Sequence, residues 1–426
     1  MMSSKFNFNP KGIPLLLLLM LSYSNTQAQS SVLKGKILDK KTKEPLPFAT
    51  VSIKGTDHGT VSNFLGEFTL DISKQEQGSM LFVSMLGYAP LSVQNGSLTS
   101  SKIVFELEEQ AILLETLQID EEEESAVEMI ATAIERIPEN YPSSPYRHYG
   151  FARAHKAECG EYKHLYEAAF SVFGPGYNTK PKVGSPEKIF VEESRQTPAV
   201  QEYMATTMSA HRNPFIAYYH LNDVLKVRQS MATGQNEYKV DRYIMLNDKL
   251  VAVIKGRFNK VDEKYRSYTI YVDTETYAIL QVEMHMPTPD GEVWNPWLLK
   301  GKASDSSFMR VMHLKKKLQF EQFDGKYLPK YINWSIIGDV AYNDTEESFC
   351  DWEARFEMMF FDVDFDNPTR PDKKRLMKAK ERKDPDLMPY NQEFWDTSPL
   401  PLAFPIDENI VRDLGSLETR QIHWIK

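Results

Sequence analysis

Residues 32–72 read VLKGKILDKKTKEPLPFATVSIKGTDHGTVSNFLGEFTLDI, and this stretch decides the fold of the N-terminal part of the chain. Apolar and polar residues alternate in it with a period of two, which is typical of strands that bury one face. The alternation predicts strands over residues 32–39, 46–53 and 68–72. The charged segment 39–45, closed by a proline, predicts a turn between the first two strands.

Further turn signals and strands extend this pattern. Gly55, Gly59 and Gly66 mark places where a positive φ or a close backbone approach is expected. Residues 80–85 and 103–107 alternate again. Several short strands at this spacing predict a β-sandwich.

The residues of this region carry a family resemblance. The run GKILDKKTKEPLPFATVSIKGTDHGTVSNFLGEFTL, followed by LFVSMLGY, resembles the carboxypeptidase-regulatory-like domain. The resemblance implies a transthyretin-like Greek-key sandwich over residues 32–118. It also implies a structural or interaction module, of the kind found in exported envelope proteins of Bacteroidetes, and not an enzyme. The matching positions are turn formers and core residues, namely Gly35, Pro45, Leu46, Ala49, Val51, Gly55, Thr56, Gly59, Thr60, Gly66, Phe68, Gly87 and Tyr88.

The N-terminus predicts export. Lys5 and Lys11 give a positive charge before a short apolar run at 13–21, and the residues 26–28 suit cleavage. This is the pattern of a secretory signal over residues 1–28. A membrane span needs about 20 apolar residues, and no later stretch provides them, so no transmembrane segment is expected in the mature chain. The expected location is the periplasm, the outer membrane through a partner, or the outside of the cell.

Composition narrows the classes of partner. The chain has 426 residues, 42% of them hydrophobic, and a net charge of -9. Nucleic acid is excluded as a partner because its binding rests on neutralising phosphates with basic residues. The length predicts more than one domain. Cys159 and Cys350 are the two cysteines, and in an exported protein either a disulfide or two buried thiols fits.

Residues 119–145 predict an acidic linker followed by an amphipathic helix. Residues 120–124 form an acidic block, and Ser125 with Glu128 three residues later matches a capping box. Apolar residues then recur at helical spacing before Pro138, namely Ala126, Met129, Ile130, Ala133, Ile134 and Ile137. We expect this stripe to pack on the unit that follows.

Residues 146–365 predict a larger, antiparallel β-rich domain. Consecutive hairpins are expected because alternating segments are separated by short turns. The segments are 147–156, 163–173, 243–246 and 250–254 with a turn at 247–249 between them, 268–273, 278–283, 314–323, 327–337 and 353–361. Residues 215–225 are expected to form a helix inserted between the strands.

A second resemblance lies in this region. The segments YTIYVDTETYAILQVE at 268–283 and FDGKYLP at 323–329 are similar to the curved sheets of lipoprotein carriers. The resemblance implies an apolar cavity for acyl chains. A sheet closed by its own helix and tail has the same sequence pattern, so both interpretations stay open.

The composition of the last residues, 366–426, differs from that of the strands before them. Residues 373–383 form a basic, helix-like run that is either a solvated face or a surface for a membrane or partner. The following Pro- and aromatic-rich segment resembles the tail of Bacteroidetes proteins with the same two-part arrangement. Phe394, Trp395 and Phe404 are expected to anchor the tail on the sheet.

The sequence gives only a weak signal for a zinc site. His-x-x-Glu, a spacing used by metallocarboxypeptidases, occurs at His155 with Glu158 and at His164 with Glu167. Both fall in strand-like segments, where residues three apart point to opposite faces. We therefore expect four solvated hairpin residues. The sequence contains no Gly-x-Ser-x-Gly nucleophile elbow, no Gly-rich phosphate-binding loop with Gly-Lys-Ser/Thr and no Cys-x-x-Cys motif. No catalytic, cofactor-binding or metal-binding residue is therefore predicted, and the chain is not expected to be an enzyme.

Two classes of function fit the sequence best. The first is an exported, non-catalytic envelope module that binds a protein or glycan partner, with the sandwich as docking unit and the larger sheet as scaffold. The second is a periplasmic carrier of a hydrophobic, acyl-chain ligand. A zinc-dependent peptidase stands third.

Overall fold

A computed structural model describes most of the two predicted β-rich regions. The described residues are 32–54, 56, 59–63, 65–72, 79–85, 88–94, 103–108, 124–177, 187–196, 237–246, 249–261, 264–287, 308–341, 350–370 and 391–397. The predicted signal segment, the helix at 215–225, the basic run at 373–383 and Phe404 lie outside them. Of the acidic block, only Glu124 lies among them.

The N-terminal unit is a β-sandwich of seven strands, as the sequence predicts. Its strands are β1 (Val32–Asp39), β2 (Thr50–Ile53), β3 (Gly59–Val61), β4 (Glu67–Asp71), β5 (Met80–Ser84), β6 (Leu91–Gln94) and β7 (Ile103–Leu107). One sheet has the order β4-β1-β7 and the other β3-β2-β5-β6. Ile37, Val51, Leu81 and Val83 are fully buried between them.

The second predicted strand is shorter than the sequence indicated. Alternation predicted a strand over residues 46–53, but β2 begins only at Thr50. Phe48 has a φ of 69°, in the left-handed region, which interrupts an extended chain. Leu46, Phe48 and Ala49 are nonetheless all buried, so the apolar pattern was correct and the backbone assignment was wrong.

Among the described residues, two helices lie between the sandwich and the second unit. Helix α1 (Ala126–Glu135) begins at the predicted cap, where the Ser125 hydroxyl accepts from the Glu128 N–H and the Glu128 carboxylate accepts from the Ser125 N–H. Helix α2 (Ile137–Asn140) follows directly, with Pro138 in its first turn. The six stripe residues listed above are all buried.

The second unit is a curved antiparallel sheet of ten strands. They are β8 (Tyr146–Glu158), β9 (Glu161–Gly174), β10 (Lys188–Gln196), β11 (Glu237–Leu246), β12 (Lys249–Val261), β13 (Lys264–Asp273), β14 (Ile279–Pro287), β15 (Phe308–Phe323), β16 (Lys326–Ala341) and β17 (Cys350–Asp364). Their order is β10-β9-β8-β17-β16-β15-β14-β13-β12-β11. The last strand thus pairs with the first, β8, and joins two hairpin series into one sheet.

One face of this sheet, the apolar face, forms the main core. A single register row crosses all ten strands on it with Ser194, Ala168, Ala152, Met358, Ile332, Leu318, Val282, Ile270, Ile254 and Val240. Helices α1 and α2 share one buried cluster with this face. The Tyr141 hydroxyl, 1% exposed, donates to the Ile279 carbonyl at 2.8 Å and accepts from the Ile279 N–H at 3.1 Å.

A disulfide joins Cys159 to Cys350, 191 residues apart in the chain. Cys159 follows the end of β8 and Cys350 begins β17, so the bridge ties together the two paired strands that join the two hairpin series. The sequence allowed either a disulfide or two buried thiols, and the structure contains the disulfide. None of the described helices is long and apolar enough to cross a membrane.

Candidate functional site

The opposite face of the large sheet, the polar face, carries a continuous row of polar side chains. The register aligns one residue from each strand in what we call the polar row: Arg195, Glu167, Arg153, Glu357, Asn333, Lys317, Glu283, Thr269, Lys255 and Lys239. Directly opposed side chains in neighbouring strands lie close enough to interact. The row therefore offers hydrogen-bonding groups across the whole width of the sheet.

Glu167 is the ionic centre of the row. Arg153 Nε donates to Glu167 Oε1 at 2.8 Å, and Arg195 Nε donates to Oε2 at 2.7 Å. Glu167 is fully buried and Arg153 is 3% exposed. Burial acts to raise the pKa of Glu167, but the two guanidiniums hold it below its usual range. The carboxylate is thus kept ionised by a partner on each side.

The pKa of Glu357, the next acid of the row, is shifted in the opposite direction. It is 2% exposed, and burial raises its pKa to about 7, against the lowering effects of Arg153, Arg355 and a hydrogen bond from Tyr331. The negative charge of Glu167 adds to the rise. Two carboxyl groups that share Arg153 as a neighbour therefore differ in their charge near neutral pH.

The sandwich docks on this polar face. Phe48 stacks on Tyr331 with the ring centroids 3.6 Å apart, and Val61 belongs to the same buried cluster as Phe151 and Met359. We call this contact the seam. The left-handed φ of Phe48 belongs to the loop that carries its ring to Tyr331. The sandwich thereby covers the part of the polar face around Tyr331, whose hydroxyl donates to the Glu357 carboxylate at 3.3 Å.

The C-terminal segment reaches the same cluster through Trp395 on the short helix α3 (Gln392–Thr397). Trp395 is 4% exposed, and the Arg195 guanidinium lies 4.3 Å from its ring centroid. Asn391 donates to the Glu193 carboxylate at 3.0 Å. The segment thus covers the Arg195 end of the polar row.

Two cavities lie along the seam. The larger, of about 740 Å³, lies between the loop Glu44–Phe48 of the sandwich and strands β13 to β17. Its floor includes members of the polar row and cations beside it, namely Lys317, Asn333, Thr269, Glu283, Lys315 and Arg355. The smaller, of about 360 Å³, lies between β2 and β5 of the sandwich and the sheet near Lys249 and Lys330. Both cavities need the sandwich and the sheet together.

A histidine pair borders the larger cavity. His285 Nε2 and His313 Nδ1 lie 3.3 Å apart, and His285 lines the cavity. Burial lowers the pKa of His285, and the charges of Lys315 and His313 lower it further. His285 is thus held neutral, which leaves it able to donate one hydrogen bond and accept another.

The four candidate zinc ligands do not form a metal site. The register places His155 and Glu167 on the polar face, opposite to Glu158 and His164, so each His-x-x-Glu pair is split between faces. The expectation that these side chains are solvated was wrong, because all four are 5% exposed or less. Helices α1 and α2 share the core of the apolar face, and on the polar face Glu167 is paired with Arg153 and Arg195. Within the part of the chain that the structure describes, no cluster of three His, Cys, Asp or Glu side chains could hold a metal ion.

The sequence reasoning identified no residue of the seam as functional. A local signal was present, because acids and bases alternate with apolar residues along β17 at Glu353, Arg355 and Glu357. Alternation of charge on one strand is ambiguous, since a solvated face has the same pattern. Only the register shows that Arg355 and Glu357 are opposed by polar residues on both neighbouring strands, β8 and β16.

Comparison with known proteins gives one family match and several distant structures. The CarboxypepD_reg-like domain model matches residues 33–119. No curated protein matches the chain. A LolA superfamily protein from Nitrosomonas europaea is similar at 12% identity and a TM-score of 0.21, covering 57% of this chain and 97% of its own. The complex of MucA and MucB from Pseudomonas aeruginosa is similar at 8% identity and a TM-score of 0.14, covering 54% of this chain and 90% of its own.

Such low TM-scores support no inference about what the larger sheet does. The family match, in contrast, covers the residues from which the sandwich was predicted. The N-terminal part of this protein therefore has the CarboxypepD_reg-like domain that its sequence resembles.

Proposed function

We propose that this protein is an exported, non-catalytic binding protein of the cell envelope that recognises a protein or glycan partner at the seam. Residues 32–118 act as the docking unit and residues 146–365 as the scaffold. The observation that carries the proposal is the cavity of about 740 Å³, whose walls come from both units. Ligand sites in proteins fall in this size range and favour domain interfaces.

Export is supported by two independent features. The N-terminal residues have the pattern of a secretory signal. The Cys159–Cys350 disulfide belongs to the oxidising compartments outside the cytoplasm. The periplasm, with outer-membrane association through a partner, is the location we propose.

The occupied apolar face favours a binding module over an acyl-chain carrier. Ile130, Ala133 and Ile134 are at most 2% exposed and share a cluster with the apolar face. Arg136 and Asn140 donate to the carbonyls of Glu275 and Thr276 in the β13–β14 turn, which fixes both helices there. A carrier would have to displace these helices to bury an acyl chain on that face.

Organic extraction tests the two functions against each other. Protein purified without detergent is extracted and analysed by mass spectrometry for acyl chains. A binding module should give acyl chains far below one per protein chain. One or more acyl chains per protein would overturn the proposal in favour of the carrier.

Blocking the seam tests the location of the ligand. Thr269→Trp places a large side chain on the cavity floor, and Lys255→Trp places one on the neighbouring strand of the same row, outside the cavity. Envelope glycan fractions and envelope protein extracts are passed over the wild type and both variants. We expect the T269W variant alone to lose the partner retained by the wild type. Equal retention by all three proteins would show that the seam is not the binding site.

A further inference from the structure

The larger seam cavity has a charge opposite to that of the whole protein. Among the described residues, four cations, Lys315, Lys316, Lys317 and Arg355, line it beside two carboxylates, Glu44 and Glu283. The complete chain carries a net charge of -9. Such a local reversal concentrates anions at the cavity and repels them from the rest of the surface.

Two of these lysines differ from others nearby in having no carboxylate partner among the described residues. In the smaller cavity, Lys249 lies 3.1 Å from Asp273 and Lys330 lies 2.8 Å from Glu321. Neither Lys315 nor Lys317 makes an ion pair or a side-chain hydrogen bond with any part of the chain that the structure describes.

Lys317 is also partly removed from water. It stands in the polar row between Asn333 and Glu283, on the central strand β15. Burial lowers its pKa, and the charge of Glu283 opposes this effect without an ion-pair contact. A charged ammonium in this position gains more from a bound anion than an exposed lysine does, because fewer water molecules compete.

The uncharged residues that line the cavity indicate the kind of molecule to which the anionic group belongs. Ser267, Thr269, Asn333 and Ser335 bring hydroxyl and amide groups to the same cavity, while Pro47 and Phe48 supply one apolar wall. This combination can bind sugar hydroxyls through hydrogen bonds and a sugar ring through the apolar wall.

The position within the sheet argues against an extended peptide. Peptides that add to a sheet pair with a free edge strand. The cavity lies over β13 to β17, which are interior strands, whereas the edges of the sheet are β10 and β11. The ligand therefore meets side chains and not free backbone groups.

We propose that the seam cavity binds an acidic oligosaccharide, with Lys315 and Lys317 holding its anionic group and Asn333 and Ser335 bonding its hydroxyls. The inference rests on the proposed binding function and specifies the ligand class. A bound acid would also contact the sandwich wall, so it would hold the two units of the seam together.

Calorimetric titration of the full mature chain tests the inference with defined probes. The probes are digalacturonate, the uncharged digalactose of the same linkage, and inorganic phosphate. The test variant is the double substitution Lys315→Gln with Lys317→Gln. The matched control is Lys239→Gln with Lys255→Gln, which removes the same charge from the same face, outside the cavity.

The wild type should bind digalacturonate at least tenfold more tightly than either other probe. Losing one hydrogen bond to a charged group weakens binding by about tenfold to a hundredfold, so losing both lysines should weaken it by at least about a hundredfold. The control variant should bind as the wild type does.

Three results would overturn the inference. Equal affinity for digalacturonate and digalactose would show that the ligand need not be anionic. Equal affinity for digalacturonate and phosphate would show that the site does not recognise a sugar. In both cases the seam would remain a binding site. Absence of binding by all three probes would remove the ligand class. The proposed function fails separately, if the seam-blocked T269W variant retains the natural partner.

Discussion

Replacing Glu357 by glutamine should change how the stability of the protein depends on pH. The folded-state pKa of Glu357 is raised from an ordinary 4.5 to about 7 by burial under the seam. Between these values the folded protein holds the proton that the unfolded chain has released, so this group's contribution is complete at low pH and is lost as the pH rises towards 7. At about 1.4 kcal/mol per pH unit, the window corresponds to roughly 3 kcal/mol.

Glutamine keeps the shape of the side chain but cannot ionise. The Glu357→Gln variant should therefore gain about 2–3 kcal/mol of unfolding free energy relative to the wild type between pH 5 and pH 8. Urea unfolding of both proteins at several pH values measures the difference. Asp241→Asn is the control, because hydrogen bonding and charge from Lys255 lower the pKa of Asp241 and keep it ionised throughout. Parallel pH profiles for the wild type and E357Q would refute the burial argument.

Substitutions at three further places test the seam, the buried ion pairs and the disulfide. Phe48→Ala should cost about 3–5 kcal/mol of unfolding free energy by urea denaturation, because a buried ring stacked on Tyr331 is removed; a loss below 1 kcal/mol would show that the seam is not packed. Glu167→Ala should cost about 3–5 kcal/mol in the same assay, since two arginines lose their counter-charge, and E167Q should cost less. Replacing Cys159 and Cys350 by serine should cost about 2–5 kcal/mol, and a reductant should lower the melting temperature of the wild type but not of the variant.

Local patterns predicted the elements that depend on short-range interactions. The capping box at Ser125 and the stripe from Ala126 to Ile137 predicted helix α1 and its buried side, because cap and periodicity are properties of one segment. The hairpins around 159–160 and 324–325 were equally visible, since their turns lie between two alternating segments.

Burial on the polar face was not predictable in the same way. His155 and Glu167 were expected in solvent as residues of a hairpin, and an antiparallel sheet with one apolar face usually does expose the other. The second face here is covered in part by the sandwich and by Trp395, which come from distant parts of the chain. Charges that look solvated on a single strand are instead paired with charges on its neighbours, as Glu167 is with Arg153 and Arg195.

The sequence by itself determined the sandwich, the helix α1, the hairpins and the two-faced character of the long strands, because each depends on residues close together in the chain. Only the tertiary structure decided that β17 pairs with β8, that Phe48 docks on Tyr331, and that the polar row runs across ten strands. These contacts join segments far apart in sequence, and many pairings of amphipathic strands satisfy the same alternation. The seam cavity, which neither unit forms alone, belongs to this second group.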